Sequence, residues 1–282
     1  MRIDSHQHFW RFDEKEYSWI DDRMAMLRRD FMPEELAPIL KKNGVHGSLA
    51  VQVRQSLEET DWLLEMARQN AFVRGVVGWV DLRSSVARRD LERYRDNRFF
   101  LGVRHLVQDE PDDRFLLRED FLAGVSILKE LDLTFDILIY PRQLPAAIEF
   151  VRRFPDHRLV LDHLAKPPIA RGEVEPWASF IRELSSSENL FCKVSGMVTE
   201  ASWTSWTRDD FIPYLDVVFE AFGSGRLMFG SDWPVCRLAA RYDEVMQVVV
   251  EYLDTLSSDE KGAVLGGNAI DFYRLGRAPN AD

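Results

Sequence analysis

The chain has 282 residues, of which 46% are hydrophobic and 29% are charged, and its formal net charge at pH 7 is -11. The length fits two small domains or one (β/α)8 barrel, since such a barrel needs about 250 residues. The excess of acidic residues argues against binding to nucleic acids or anionic membrane surfaces, because such binding requires a basic protein surface. The two cysteines, Cys192 and Cys236, form no CxxC pair, so neither a disulfide scaffold nor a zinc knuckle is indicated.

The N-terminus, MRIDSHQH, contains no apolar stretch of the kind that a signal peptide has. No apolar run in the sequence approaches the roughly 18 residues of a membrane span. We therefore expect a cytoplasmic protein that has no membrane partner.

Short β-branched and apolar runs recur along the chain, and longer amphipathic stretches separate them. Strands that alternate with helices favour a parallel sheet, and eight strands can close a barrel. We predict an α/β fold, a single-domain (β/α)8 TIM barrel over residues 1–282. An open doubly wound sheet is the alternative, although DSHQHFWRFD has no glycine for a phosphate loop. The predicted strands are Arg2–His8, Gly47–Val53, Val76–Leu82, Leu101–Val107, Thr134–Tyr140, Arg158–Ala165, Leu190–Gly196 and Arg226–Trp233.

The sequence supports a specific structural prediction for two segments outside the strands. The stretch from Trp10 to Met32 is long for a connection between a strand and a helix, and it is rich in charged and aromatic residues. We expect it to lie over the C-terminal mouth of the barrel, where functional loops lie. Near the other end of the chain, SSDEKGAVLGGNAIDFYRL indicates a closing helix that is interrupted near Gly266 and Gly267.

The stretch DSHQHF places His6 and His8 two positions apart. On a strand both rings point to the same face, which is a chelating geometry, whereas in a loop the pair has no such meaning. Asp232, in FGSDWP, ends the last predicted strand. Imidazoles and a carboxylate suit zinc, so His6, His8 and Asp232 are candidate metal ligands. The alternative for Asp232 is a helix cap.

Four of the six histidines fall at or near predicted strand ends: His6, His8, His105 and His163. The active site of a barrel lies at the carboxyl ends of its strands. Arg104 and Lys166 are cations at the same level; they either form ordinary salt bridges or clamp a carboxylate, a hydroxyl or a developing oxyanion. Asp162 adjoins His163, so it points to the other face and is expected to be structural.

Five segments carry a resemblance to a known family: DSHQHFW, LDHLAKPPI, FCKVSGM, FGSDWPV and GGNAIDFY. Together they resemble the amidohydrolase superfamily of metal-dependent (β/α)8 hydrolases, and within it the amidohydrolase-2 group. The sequence is most similar there to the sugar-lactone hydrolases, which include L-fuconolactonases and L-rhamnonolactonases. The resemblance implies hydrolysis of a sugar lactone, a small-molecule partner, to the corresponding aldonic acid. It also matches His6, His8, His163 and Asp232 to the family's site residues.

The sequence departs from the family pattern on two strands. Metal-binding members usually carry a histidine on strand five, where this chain has Asp136 in TFDILIY; strand four offers Arg104 and His105. The departure argues against a tight metal site. Two alternatives therefore stay open: the imidazoles hold a divalent metal (zinc) weakly and without being needed for activity, or they donate hydrogen bonds to a lactone oxygen.

The implied mechanism assigns a role to each candidate. His6, His8 and His163, with Arg104 or a bound zinc, stabilise the tetrahedral oxyanion, and Asp232 accepts a proton from water as general base. Other functions that the sequence allows are a metal-dependent amidase or decarboxylase of the same superfamily, or a barrel that only binds a sugar acid; a homo-oligomer is also compatible. The expected substrate contacts are Arg104, His105, Lys166, Trp10 and Trp233, whereas Trp19, Trp203 and Trp206 are expected to pack within loops.

Overall fold

A computed structural model describes residues 1–276, and its eight strands form one parallel sheet in chain order. The first and last strands also meet, because the amide of His8 donates to the carbonyl of Trp233 at 2.7 Å and that of Asp232 to the carbonyl of His6 at 2.8 Å. The predicted (β/α)8 barrel is thereby confirmed. The strands are β1 (Ile3–Gln7), β2 (Gly47–Val51), β3 (Val73–Gly78), β4 (Phe100–His105), β5 (Thr134–Ile137), β6 (Leu159–Leu161), β7 (Leu190–Val194) and β8 (Leu227–Phe229).

Most helices on the outside of the barrel bury an apolar face, as in α5, where Ile148 and Val151 are buried. Local signals set several of their ends. Helix α1 begins at Pro33, whose fixed φ suits a first turn, and the chain leaves it through Gly44 at a φ of 65°. The helices are α1 (Pro33–Lys42), α2 (Leu57–Gln69), α3 (Ala87–Glu92), α4 (Glu119–Glu130), α5 (Leu144–Arg153), α6 (Trp177–Leu184), α7 (Met197–Glu200), α8 (Ile212–Phe222), α9 (Tyr242–Tyr252), α10 (Ser258–Gly262) and α11 (Asn268–Phe272).

All eight predicted strands extend beyond the observed ones at their carboxyl ends, most of all at β3, β6 and β8. β6 ends at Leu161 rather than at Ala165, and β8 ends at Phe229 rather than at Trp233, while β3 is shifted towards the N-terminus by a few residues. The extra residues of β6 and β8 are the turns that carry candidate site residues. Their backbone leaves the strand conformation, which an apolar pattern in the sequence does not reveal.

The segment from Trp10 to Met32 covers the carboxyl ends of the strands, as expected. Trp10 and Phe31 exchange two backbone hydrogen bonds, of 3.1 and 2.9 Å, so the two ends of the segment are held together. Between them, Trp19 and Met24 line the cavity at the barrel mouth. Among residues 1–276, no helix is both long and apolar enough to cross a membrane.

The closing segment is interrupted where the sequence indicated, by a π-helical turn at Ala263–Gly267 between α10 and α11. A Cβ at Gly266 would collide with the carbonyl oxygen of Met1, so only glycine allows the segment to lie against the start of β1. Tyr273 follows α11, and its side chain extends into the barrel. The Tyr273 hydroxyl donates to both carboxylate oxygens of Asp136, at 2.9 and 3.1 Å.

We expect Tyr273→Phe to lower the free energy of unfolding by about 1–3 kcal/mol, because buried Asp136 loses a donor. Urea denaturation measures the change. Tyr252→Phe is the matched control, since the Tyr252 hydroxyl donates to Asp216 at the surface; its effect should stay within about 0.5 kcal/mol. Equal effects in the two variants would contradict the buried contact.

Candidate active site

A cavity of about 370 Å³ opens at the carboxyl ends of the strands. Its size lies at the lower end of the range for small-molecule sites and suits a monosaccharide. A larger depression of about 530 Å³ lies on the outer surface beside α2 and residues 93–99, away from the strand ends, and contains none of the candidate residues. The charged and titratable residues that line the mouth cavity are His8, Arg104, Asp109, His163, Lys166, Glu200 and Asp232.

His6 and His8 lie on one face, as the alternation along β1 predicted, and Asp232, which follows β8, lies beside them. The Nε2 atom of His8 lies 3.2 Å from Oδ1 of Asp232, and that of His6 lies 3.9 Å from the same oxygen. The Nδ1 atom of His8 donates to the carbonyl of Val51 at 2.8 Å, because a carbonyl can only accept. In the neutral ring, Nε2 then presents a lone pair to the Asp232 carboxylate, and a cation between the two atoms, a proton or a metal ion, resolves that repulsion. The three donor atoms, all within 4.8 Å of one another, fit such an ion.

Asp4, in the same stretch as the two histidines, anchors the turn that carries Asp232. Its carboxylate accepts hydrogen bonds from the Ser231 amide at 2.9 Å, the Ser231 hydroxyl at 2.6 Å and the Tyr242 hydroxyl at 3.1 Å. Burial raises the pKa of Asp4 to about 6, although these donors oppose the rise. The start of β1 therefore holds the residue that follows β8 in place.

His163 and Lys166 reach the cavity through an unusual turn after β6. All four residues from His163 to Lys166 have φ between 53° and 56°, a left-handed conformation that is rare outside glycine. Nδ1 of His163 and the hydroxyl of Ser195 share a hydrogen bond of 2.9 Å. A side chain at Gly196 would place its Cβ only 2.6 Å from the same nitrogen, so glycine leaves room for the ring. Burial lowers the pKa of His163 to about 4, so the ring is neutral at neutral pH.

Beneath the cavity lies a buried ionic cluster of Asp136, Asp162, Lys193 and Arg104. Lys193 Nζ lies 2.5 Å from Asp136 and 3.0 Å from Asp162, and Arg104 lies 3.1 Å from Asp162. The cluster touches His6 on both sides, since Arg104 lies 3.1 Å from its Nε2 and Lys193 3.3 Å from its Nδ1. The charges of the two carboxylates and the two cations cancel, so none of the four buried ions is left without an opposite charge.

Asp162 was expected to point away from the face of His163, but its side chain lies against His6, 3.3 Å from Nδ1, and its carboxylate comes within 4.8 Å of ring nitrogens of both His6 and His163. Burial opposes ionisation of Asp162, but the charge of Lys193, a hydrogen bond to His6 and the charge of Arg104 overcome it and hold the pKa of that carboxyl well below its usual range. Burial also lowers the pKa of His6 well below its usual range. The ring of His6 is therefore neutral, with its position set by the charges around it.

The structure does not bring three of the predicted substrate contacts to the cavity, and we correct that expectation. His105 follows Arg104 on β4 and so faces the outside of the barrel, where it lies 2.7 Å from Glu110 and stacks on Phe115. Trp10 is fully buried and its indole donates to the carbonyl of Arg29. Trp233 is also fully buried and packs against Phe9 and Phe31.

Sequence reasoning missed several residues that do line the cavity. Trp19 and Trp203, which were expected to pack within loops, both face it, as does Tyr140 after β5. Glu200, at the end of the short helix α7, is a further acidic group there. The one available signal for Glu200 was its place just after a strand end, in SGMVTE, where barrel loops carry functional residues.

The chain is similar to one lactonase over nearly its whole length and to a second over part of it. It is 42% identical to an L-fucono-1,5-lactonase of Burkholderia multivorans, in an alignment that covers 98% of this chain and 96% of that protein. It is 25% identical to an L-rhamnono-gamma-lactonase of Scheffersomyces stipitis over 62% of this chain and 59% of that one.

Solved structures agree with this relationship. A crystal structure of an amidohydrolase from Burkholderia multivorans with bound zinc superposes with a TM-score of 0.93 at 42% identity, covering 98% of this chain and 99% of that one. The family model for amidohydrolases matches residues 3–275. A match of this extent, on a barrel with histidines and an aspartate at its strand ends, shows that the chain belongs to the amidohydrolase family.

Proposed function

We propose that this protein hydrolyses a sugar lactone and releases the open-chain aldonic acid. The observation that carries the proposal is a carboxylate, Asp232, that shares a monosaccharide-sized cavity with His8, His163 and Arg104. The 42% identity to an L-fucono-1,5-lactonase over 98% of the chain supports the same reaction and makes L-fucono-1,5-lactone the first substrate to test.

Asp232 is the general base of the proposed reaction. Burial opposes its ionisation, and the hydrogen bond that it shares with His8 is among the interactions that hold the pKa of this carboxyl well below its usual range. The carboxylate is therefore ionised at neutral pH. It orients a water molecule and takes one of its protons while the water oxygen forms a bond to the lactone carbonyl carbon.

Arg104 and His163 stabilise the charge that develops on the carbonyl oxygen. Arg104 lines the cavity as a cation, fixed by its hydrogen bonds to Asp162 and to the carbonyl of Gln52. The neutral ring of His163 can accept from the Ser195 hydroxyl at Nδ1, which leaves an N–H at Nε2 as a donor. When the bond from the carbonyl carbon to the ring oxygen breaks, that oxygen takes the proton held by Asp232.

His6, His8 and Asp232 would hold a zinc ion, as the orientation of His8 allows. Bound there, the ion would polarise a carbonyl oxygen. Two features favour weak binding. Arg104 already lies 3.1 Å from His6 Nε2, and β5 offers Asp136, which is bonded to Lys193, where metal-binding relatives usually carry a histidine. We therefore propose that zinc binds weakly and that the protein groups suffice for a reactive ester.

We expect Asp232→Asn to lower kcat for L-fucono-1,5-lactone by about 100- to 10,000-fold, because the amide cannot accept the proton. Acid release followed with a pH indicator measures the rate. Asp259→Asn is the control, since Asp259 is exposed on α10 and distant from the mouth. Turnover close to wild type in Asp232→Asn would rule out the assignment of the base.

Dialysis against a chelator should lower kcat by less than about tenfold, because no step of the proposed mechanism requires the metal. Metal content is measured on the same samples, before and after dialysis and after addition of Zn²⁺. A loss of more than about 100-fold that Zn²⁺ restores would show instead that the ion is required.

A further inference from the structure

We propose that Lys166 and Glu200 form a donor–acceptor pair that binds two neighbouring hydroxyls of the substrate. The pair selects polyhydroxylated lactones over lactones that carry no hydroxyl group. The inference rests on the proposed function, because it concerns the substrate of the same cavity. It assigns a specificity-determining role to Glu200, which the catalytic steps above do not use.

The two side chains meet at the wall of the cavity although they come from different strand ends. Lys166 ends the left-handed turn after β6, and Glu200 ends helix α7 after β7. Lys166 Nζ lies 3.8 Å from Glu200 Oε1, and both residues line the cavity together with His163 and Asp232. The pair therefore lies in the compartment that holds the general base.

Both charges are mostly withdrawn from water, and they face each other as an ion pair without a direct hydrogen bond. The side chains are only 17% and 23% exposed, and their separation of 3.8 Å is too long for a hydrogen bond. Within residues 1–276, neither charged group forms a hydrogen bond, and the Lys166 ammonium also lies 5.1 Å from the centre of the Tyr140 ring. Burial raises the pKa of Glu200, and the charge of Lys166 opposes that rise.

This arrangement contrasts with the ionic cluster beneath the cavity, where Lys193 lies 2.5 and 3.0 Å from its two carboxylates. Because the two groups have little access to water and no hydrogen-bond partner among residues 1–276, the contents of the cavity, water or a ligand, supply their hydrogen bonds. A lysine ammonium can only donate, and an ionised carboxylate can only accept.

A pair of neighbouring hydroxyls satisfies both groups. One hydroxyl oxygen accepts from Lys166 Nζ, and the other hydroxyl donates to Glu200. A lactone without hydroxyls would bury both charges without partners, and a site of this kind strongly rejects such an analogue. The pair thus accounts for selection of a sugar lactone by a site whose catalytic groups need only the ester.

The test compares kcat/KM for L-fucono-1,5-lactone with kcat/KM for δ-valerolactone, a six-membered lactone without hydroxyls. In Glu200→Gln and in Lys166→Met, the ratio of the two values should fall by about 10- to 100-fold, mainly through KM for the sugar lactone. Glu173→Gln makes the same charge change as Glu200→Gln at an exposed side chain and should leave the ratio as in wild type. Thermal melting confirms that each variant is folded.

Each outcome decides a separate question. If both variants lose activity on the two lactones by the same factor, or keep the wild-type ratio, the hydroxyl-binding role is overturned while lactone hydrolysis stands. If wild type opens no lactone, the proposed function fails. Titration calorimetry then measures the affinity for L-fuconate, the aldonic acid that corresponds to the lactone. We expect at least about tenfold weaker binding in Glu200→Gln and Lys166→Met, and wild-type affinity in these variants would overturn the hydroxyl-binding role.

Discussion

The hydrogen bonds between the first strand and the turn after the last one are the constraint on which the site depends. His6 and His8 lie near one end of the chain and Asp232 near the other, and they meet only because the barrel closes. Asp4 secures that closure with its bonds to Ser231 and Tyr242. A buried carboxylate with four donors is costly to disrupt, so the contact that closes the barrel also holds Asp232 beside the two imidazoles.

The charges beneath the cavity add a second layer of support. Lys193 and Arg104 compensate Asp136 and Asp162, and Tyr273 reaches the same cluster from the end of the described chain. Removing one partner of such a cluster would leave an uncompensated ion in the barrel interior. The closing segment and the candidate active site are therefore linked through buried electrostatics, although they lie at opposite ends of the barrel.

The turn after β6 shows how backbone conformation and specificity are joined. Left-handed residues other than glycine are unfavourable, and four occur here in sequence, which only a well-packed surrounding structure can maintain. The same turn directs Asp162 into the ionic cluster and brings His163 and Lys166 to the cavity. One local conformation therefore positions a residue of the ionic cluster, the proposed oxyanion donor and one half of the proposed hydroxyl-binding pair.

The amino-acid sequence by itself determined the barrel, the loop over its mouth, the break near Gly266 and the convergence of His6 and His8, because these follow from local periodicity and residue type. Only the tertiary structure decided that Trp10 and Trp233 are packed behind the cavity while Trp203 faces it. It also decided that Glu200 meets Lys166 and that Lys193 supports His6. These contacts depend on strand order and on turn geometry between residues far apart in the chain, and no short pattern in the sequence encodes either.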